Sequence, residues 1–294
     1  MTVVSGTTDA IPTRVLVLGM AREDGTIDAS ELLPVAEACG QTTEQVRSCL
    51  RRLVAEGLFE REGTGRSATF RATPRGLKSL AGELDRTRLA YGQDAAGRGW
   101  DGLWRLVAVA VPESRRSARD ALRERMRALG GAPIQGGLHV SPHPWHPDVV
   151  AAAERLGIGD GLTLATTSEL VVGGERDPRA LARLLWPIED LGARYATFCE
   201  RYGKIQALLV ELRAQRRHIE DTDFLPGALR MAVEYQACFR DDPLLPPDLL
   251  PRPWAGRNAR DIMLKTRRMA ISMRSGPGRP ALFRTYDEAI EALR

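Results

Sequence analysis

A short segment near the N-terminus has apolar residues at the spacing of an α-helix. Between positions 46 and 54 these residues fall at helical intervals, which predicts a single apolar stripe. Thr42 precedes the stripe, and Gln45 lies three residues after Thr42, which is the arrangement of a capping box. Gly57 is a residue type that often ends a helix. The pattern therefore predicts a short helix with two defined ends.

The segments around this helix predict two further helices and a hairpin. The predicted bounds are 13–21 and 29–38 for the helices, and 58–62 and 68–72 for the strands. A glycine-rich turn at 63–67 joins the strands. Three helices followed by a hairpin is the order of a winged helix-turn-helix. We therefore predict that residues 1–90 form an N-terminal winged helix-turn-helix domain that binds double-stranded DNA.

The predicted helix carries arginines on the face opposite its apolar stripe. In a helix-turn-helix the second helix meets the base edges, and arginine grips guanine through two hydrogen bonds, so Arg47 and Arg51 are the expected base readers. Between Glu44 and Lys78 there are eight basic and four acidic residues, an excess of 8 − 4 = +4. An ordinary solvated surface is the alternative interpretation. The predicted DNA-binding residues are Thr43, Gln45, Arg47, Ser48, Arg51 and Arg52 on the helix and Arg66 in the turn of the hairpin.

The rest of the chain predicts a linker and two more domains, within an α+β fold class. A helix is predicted at 74–89, and a glycine-rich linker is expected at 91–99. Residues 100–177 show the strand and helix order βαββαβ of a ferredoxin-like domain, with its last strand at 162–172. Residues 178–294 predict a helical C-terminal region, which we expect to contribute to dimerisation. Within it, the segment 241–254, called the proline segment below, cannot be helical because its prolines lack the amide proton.

Composition narrows the class of protein. The chain has 294 residues and a net charge of +4, and it lacks the run of about 18 apolar residues that a membrane-spanning helix needs. The four cysteines lack the paired spacing of zinc or redox motifs, so free thiols are expected. These features favour a cytoplasmic protein that does not enter a membrane.

Three of the four histidines, His139, His143 and His146, lie within eight residues of one another. Such density suggests a transition-metal site, but no regular set of additional ligands accompanies it. A hydrogen-bonded loop is the alternative, and we favour it, so no metal is expected. Six arginines are candidates for contact with a phosphate-bearing ligand, although a solvated helix face explains them equally well. They are Arg115, Arg116, Arg119, Arg123, Arg194 and Arg201.

The usual catalytic signatures are missing from the sequence, including a phosphate-binding loop, a nucleophile elbow and a His-Glu-x-x-His motif. No enzyme is therefore expected. A metal-dependent nuclease is one alternative, with Glu113 after the first predicted strand of the middle domain as its acid. A protein-interaction module that does not bind DNA is another.

Several separated motifs resemble the PaaX family of bacterial transcriptional repressors. The matching segments are 46–57, 100–107, 136–142, 185–191 with Tyr195 and Phe198, and the proline segment. The resemblance implies a homodimeric regulator, usually a repressor, of a catabolic operon such as one for phenylacetic acid, although the sequence leaves repression or activation open. It also implies that the later domains bind an acyl-CoA such as phenylacetyl-CoA, or an aromatic acid, which releases the protein from its operator. No cofactor is expected. The resemblance further implies a middle domain similar to a CRISPR adaptation nuclease. The effector residues remain unknown, and Gly131 and Gln236 depart from the family's usual residues.

Overall fold

The computed structural model describes residues 12–22, 24–97, 99–215 and 221–274. They group into two compact units. The first unit extends to Arg88 and includes Glu200–Ala237 and the residues from Asp261 onward, while the second comprises Leu89–Cys199 and Cys238–Arg260. Residues 275–294, which end the predicted C-terminal region, lie outside the described residues. The units therefore do not follow the three consecutive domains expected from the sequence.

The first unit opens with three helices and a three-stranded antiparallel sheet in the order β1-β3-β2. The helices are α1 (Thr13–Gly19), α2 (Ala29–Ala38) and α3 (Thr43–Ala55), and the strands are β1 (Thr26–Asp28), β2 (Phe59–Glu62) and β3 (Thr69–Ala72). All three predicted helices and both hairpin strands are present. The sequence did not reveal β1, because three residues are too few to show an alternating pattern.

The core of the first unit also draws on residues from far along the chain. Leu225 and Leu229 are buried together with Leu16, Leu32 and Phe70. Leu225 and Leu229 belong to α10 (Asp221–Phe239), which the sequence analysis placed in a separate C-terminal region. Helical periodicity shows that a helix has an apolar face but not which surface covers it. This explains why the linear division differs from the observed grouping.

Helix α4 (Pro74–Ala96) corrects the predicted linker. The sequence predicted that a helix would end near Leu89 and that 91–99 would be a loop, but the helix continues through Ala96. Gly92 lies inside this helix, and an added Cβ there would meet no other atom within 4 Å. A glycine in a helix costs only about 1 kcal/mol relative to alanine, so Gly92 is not enough to end the helix.

The second unit contains a four-stranded antiparallel sheet in the order β5-β6-β4-β7. The strands are β4 (Trp104–Val109), β5 (Ala132–Gln135), β6 (Leu138–Ser141) and β7 (Leu162–Thr167), and the intervening helices are α5 (Arg116–Ala128) and α6 (His146–Arg155). The predicted order of elements is therefore present. Strand β7 is shorter than the predicted 162–172, because the Thr167 hydroxyl bonds both the amide and the carbonyl of Glu169 in a local turn.

Each face of this sheet is covered by different elements. On one face, Val107 and Val109 pack with Leu122 of α5 and Val149 of α6. On the other face, Trp104 and its neighbours pack with α7 (Pro178–Leu185) and with leucines of the proline segment. As predicted, this segment is not an α-helix, although it contains a short 3-10 turn at Pro247–Leu249.

The remaining helices are α8 (Ile188–Tyr202), α9 (Ile205–Ala214) and α11 (Ala255–Arg274). No helix among the described residues is long and apolar enough to cross a membrane. None of the four cysteines forms a disulfide. Burial raises the pKa of the Cys39 thiol to about 11, so this thiol stays protonated near neutral pH.

Candidate nucleic-acid interface

Helix α3 is fixed at its start by a capping box. The Thr42 hydroxyl accepts a hydrogen bond from the Gln45 amide at 3.2 Å, and the Gln45 side-chain oxygen accepts one from the Thr42 amide at 2.7 Å. These two bonds satisfy amide groups that a helix start otherwise leaves without partners. The predicted cap is therefore confirmed.

The inward face of α3 is apolar and buried. It consists of Val46, Cys49, Leu50 and Leu53, which join the core of the first unit. Near its C-terminal end, Arg14 of α1 forms an ion pair with Glu56 at 2.8 Å. The core contacts fix the rotation of the helix about its axis, so they also determine which side chains face outward.

The outward face of α3 carries most of the predicted DNA-binding residues. Thr43, Arg47, Arg51 and Arg52 are exposed, and Ser48 is partly buried. Within the part of the chain that the structure describes, neither Arg47 nor Arg52 forms a hydrogen bond or an ion pair. Their guanidinium groups can therefore bind an external anion without breaking an internal contact.

Arg51 differs from Arg47 because it already has a partner. It pairs with Glu44 at 2.8 Å, and both side chains are mostly exposed. The hydrogen bond from Arg51 lowers the pKa of the Glu44 carboxyl, so Glu44 is ionised at neutral pH. An exposed pair of this kind contributes little to stability and can exchange for another partner. Glu44 thus places one negative charge within an otherwise basic surface.

Two other predicted DNA contacts, Gln45 and Arg66, differ from the exposed arginines of α3. Gln45 uses its side-chain oxygen in the capping box, which leaves its amide NH₂ group free of that contact and able to donate to a ligand. Arg66 lies in a short 3-10 turn, Gly65–Ser67, between β2 and β3, but its side chain lies outside what the structure describes. On the hairpin itself, Arg71 pairs with Glu62 at 3.2 Å.

The three clustered histidines each bond to a backbone carbonyl. His139 Nδ1 lies 3.1 Å from Gly137 O, His143 Nε2 lies 3.1 Å from Pro243 O, and His146 Nε2 lies 3.2 Å from Leu106 O. Across the described ranges, no group of three or more histidine, cysteine or acidic residues could hold a metal ion. The three histidines are therefore close in the sequence but do not form a shared ligand site among the described residues.

The nuclease alternative depended on Glu113, and this acid is engaged elsewhere. Its carboxylate accepts a hydrogen bond from Arg119 at 3.1 Å and contacts Arg116 at 3.5 Å.

Among the phosphate-binding candidates, Arg194 pairs with Asp241 at 2.9 Å and Arg201 pairs with Glu234 at 2.7 Å. These groups form surface ion pairs.

A buried polar network in the second unit was not predicted. Arg260 pairs with Asp94 through two hydrogen bonds of 2.5 and 2.9 Å and lies 3.6 Å from Asp242. The Tyr195 hydroxyl donates to Asp242 at 2.8 Å, and burial raises the pKa of this phenol. These contacts link α4, α8, α11 and the proline segment. Asp242 belongs to the proline segment, but no local pattern in the sequence indicated its partners.

Two family models match the chain. The PaaX protein central Cas2-like domain matches residues 97–182, and the PaaX-like protein C-terminal domain matches residues 186–273. Together they span well over half of the sequence. The chain belongs to the PaaX family. Neither PaaX model extends to α3, so the proposed role of that helix depends on its geometry.

Two individual proteins resemble this PaaX-family chain. The transcriptional repressor PaaX of Escherichia coli (strain K12) is 25% identical over 250 residues, which cover 83% of this chain and 74% of that protein. A solved structure, the uncharacterized protein Rv0674 from Mycobacterium tuberculosis, has a TM-score of 0.50, with 21% identity and 90% of both chains covered. At that identity the likeness concerns the fold alone.

Gly131, which the resemblance marked as a departure, lies between α5 and β5. The indole of Trp145 occupies the space into which a side chain at this position would point, since a Cβ on Gly131 would overlap its ring. Trp145 is buried with Leu122 and Met126. The space beside Gly131 is thus filled by a side chain from another element of the same unit.

Proposed function

We propose that this chain is a transcriptional regulator that binds operator DNA through the outward face of α3. The observation that carries the proposal is that Arg47 and Arg52 are exposed and unpaired among the described residues, on a helix that its capping box and core contacts hold in place. Arginines with this freedom suit guanine edges and phosphates. The name of the Escherichia coli relative supports the same function.

The proposal treats the N-terminal elements as a winged helix-turn-helix. Three helices, a short strand before α2 and the β2–β3 hairpin follow in the order typical of that motif, with sheet order β1-β3-β2. In this arrangement α3 enters the major groove and the hairpin is the wing. We also assign the second unit's sheet to the ferredoxin-like class, because its order and antiparallel pairing agree with βαββαβ connectivity.

The regulator acts as a homodimeric repressor in this proposal. One short helix contacts only a few base pairs, so two copies are needed for useful specificity. An acyl-CoA, with phenylacetyl-CoA as the first candidate, releases the protein from DNA. This part extends the family resemblance.

A mobility-shift assay tests the proposal. The full-length protein is titrated onto DNA from upstream of its own gene, with and without phenylacetyl-CoA. We expect a shift that the thioester reverses and that Arg47→Ala weakens by about ten- to a hundredfold, as for loss of one bidentate base contact. Arg125→Gln, which removes an exposed arginine from α5, is the matched control. No shift on any fragment would overturn DNA binding, and a shift indifferent to the thioester would overturn only the effector.

A further inference from the structure

A small recess lies between α5 and the β5–β6 hairpin of the second unit. Its volume is about 230 Å³, and its lining residues are Arg123, Arg127, Gly131, Pro133, Gly136 and His139. Two of these residues are cationic and none is acidic. A recess of this composition favours an anion over a neutral ligand or a metal ion.

His139 is the buried polar group of the recess, with only 6% of its surface exposed. Its Nδ1 lies 3.1 Å from Gly137 O. A carbonyl oxygen only accepts hydrogen bonds, so Nδ1 carries the proton, and in the neutral ring Nε2 is an acceptor. Among the described residues, none bonds to Nε2. Burial lowers the pKa of His139, and Arg123 and Arg127 lower it further, which favours the neutral ring.

Among the residues that the structure describes, the two arginines pair only with neighbours on their own helix. Arg123 lies 3.6 Å from Asp120, and Arg127 bonds to Glu124. Both contacts are ion pairs between residues three apart on a helix surface, which contribute only a few tenths of a kcal/mol in general. The guanidinium groups can therefore exchange these partners for a ligand in the recess.

We propose that this recess binds a phosphate monoester group between Arg123 and Arg127, with His139 Nε2 sharing the proton of the phosphate. Guanidinium groups match phosphate oxygens in geometry and charge. A phosphate monoester loses its last proton near pH 6, close to the ordinary value for imidazole, so one proton can lie between the phosphate oxygen and Nε2. Sulfate and the phosphodiesters of DNA lack this proton at neutral pH.

The phosphate can come from two sources. It can be free inorganic phosphate, or it can be the 3′-phosphate of coenzyme A, in which case the recess would hold part of the proposed effector. The site depends on residues of the second unit alone. Its test is therefore independent of whether α3 binds DNA.

The imidazole signals of the full-length protein provide the test. The chain has four histidines, so a long-range ¹H–¹⁵N spectrum is simple, and His139→Gln assigns the relevant signal by its loss. The protein is titrated with inorganic phosphate, sulfate, coenzyme A and 3′-dephospho-coenzyme A. We expect phosphate or coenzyme A to shift the His139 Nε2 signal, with sulfate and the dephospho compound having much weaker effects. A response to coenzyme A but not to phosphate identifies the coenzyme as the source.

Variants of the two arginines complete the test. Arg123→Gln and Arg127→Gln should each raise the dissociation constant about tenfold, the loss expected for one charge-assisted hydrogen bond. Arg125→Gln lies on the same helix outside the recess and should leave the constant unchanged. The proposal is overturned if neither phosphate nor coenzyme A moves the signal, if the dephospho compound or sulfate acts equally well, or if all three variants behave alike.

Discussion

Arginines in two regions of the molecule are used in opposite ways. On α3, Arg47 and Arg52 are exposed and have no hydrogen bond or ion pair within the described residues. In the second unit, Arg260 is buried and is bonded to Asp94 with Asp242 nearby. An exposed arginine without internal partners contributes little to folding, whereas removing a buried one leaves carboxylates without compensation. The comparison separates the arginines available to a ligand from those that maintain the fold.

The largest expected effect tests the buried side of the comparison. Arg260→Met should lower the free energy of unfolding by about 3–5 kcal/mol, because Asp94 and Asp242 would keep buried charges without their partner. Urea denaturation followed by circular dichroism measures the change. Arg257→Met is the matched control, since Arg257 is exposed near the start of the same helix. Equal urea midpoints for the two variants would show that the buried polar network does not stabilise the fold more than an exposed arginine does.

A neighbouring pair of threonines tests the attachment of α3. Thr42→Ala removes the helix cap and should lower the free energy of unfolding by about 1 kcal/mol, whereas Thr43→Ala should leave it within about 0.5 kcal/mol. Thr43 is exposed, so its loss should weaken DNA binding without weakening the fold. Thermal unfolding and DNA affinity are measured for both variants. If the two variants destabilise equally, the cap does not hold the helix as described.

The smallest expected effect concerns the one acid on the α3 surface. Glu44→Gln removes a negative charge and releases Arg51, so DNA affinity should rise by roughly threefold at physiological salt. Fluorescence anisotropy on labelled DNA measures this change. A fall in affinity would mean that the Glu44 carboxylate itself contacts a base, as acids do with the amino group of cytosine.

Local patterns predicted much of the fold. The capping residues, the apolar stripe of α3 and the succession of strands and helices in the second unit all depend on neighbours in the sequence, and all are present in the structure. What the sequence missed depends on distant contacts. Burial of Leu225 with Leu16, and of Arg260 with Asp94, joins residues far apart along the chain. No periodicity encodes such pairings.

The candidate site shows the same division. Exposure of Arg47 followed from its place opposite the apolar stripe. The pairing of Arg51 with Glu44 was not predicted, although seven residues correspond to about two helical turns. The clustered histidines were expected to be hydrogen-bonded rather than to hold a metal ion, and closeness in sequence does not bring their ring nitrogens to one point. Each imidazole instead satisfies a carbonyl of the surrounding backbone.

The most direct test of the central claim is the salt dependence of DNA affinity for the unaltered protein and Arg47→Ala. Affinity for the operator should fall steeply as salt rises, with a slope near −0.9 per neutralised phosphate. We expect Arg47→Ala to weaken operator binding at least about tenfold at every salt concentration, with an unchanged urea midpoint and nearly unchanged affinity for unrelated DNA. Equal operator affinity for the two proteins, or binding that salt does not affect, would contradict recognition of DNA through α3.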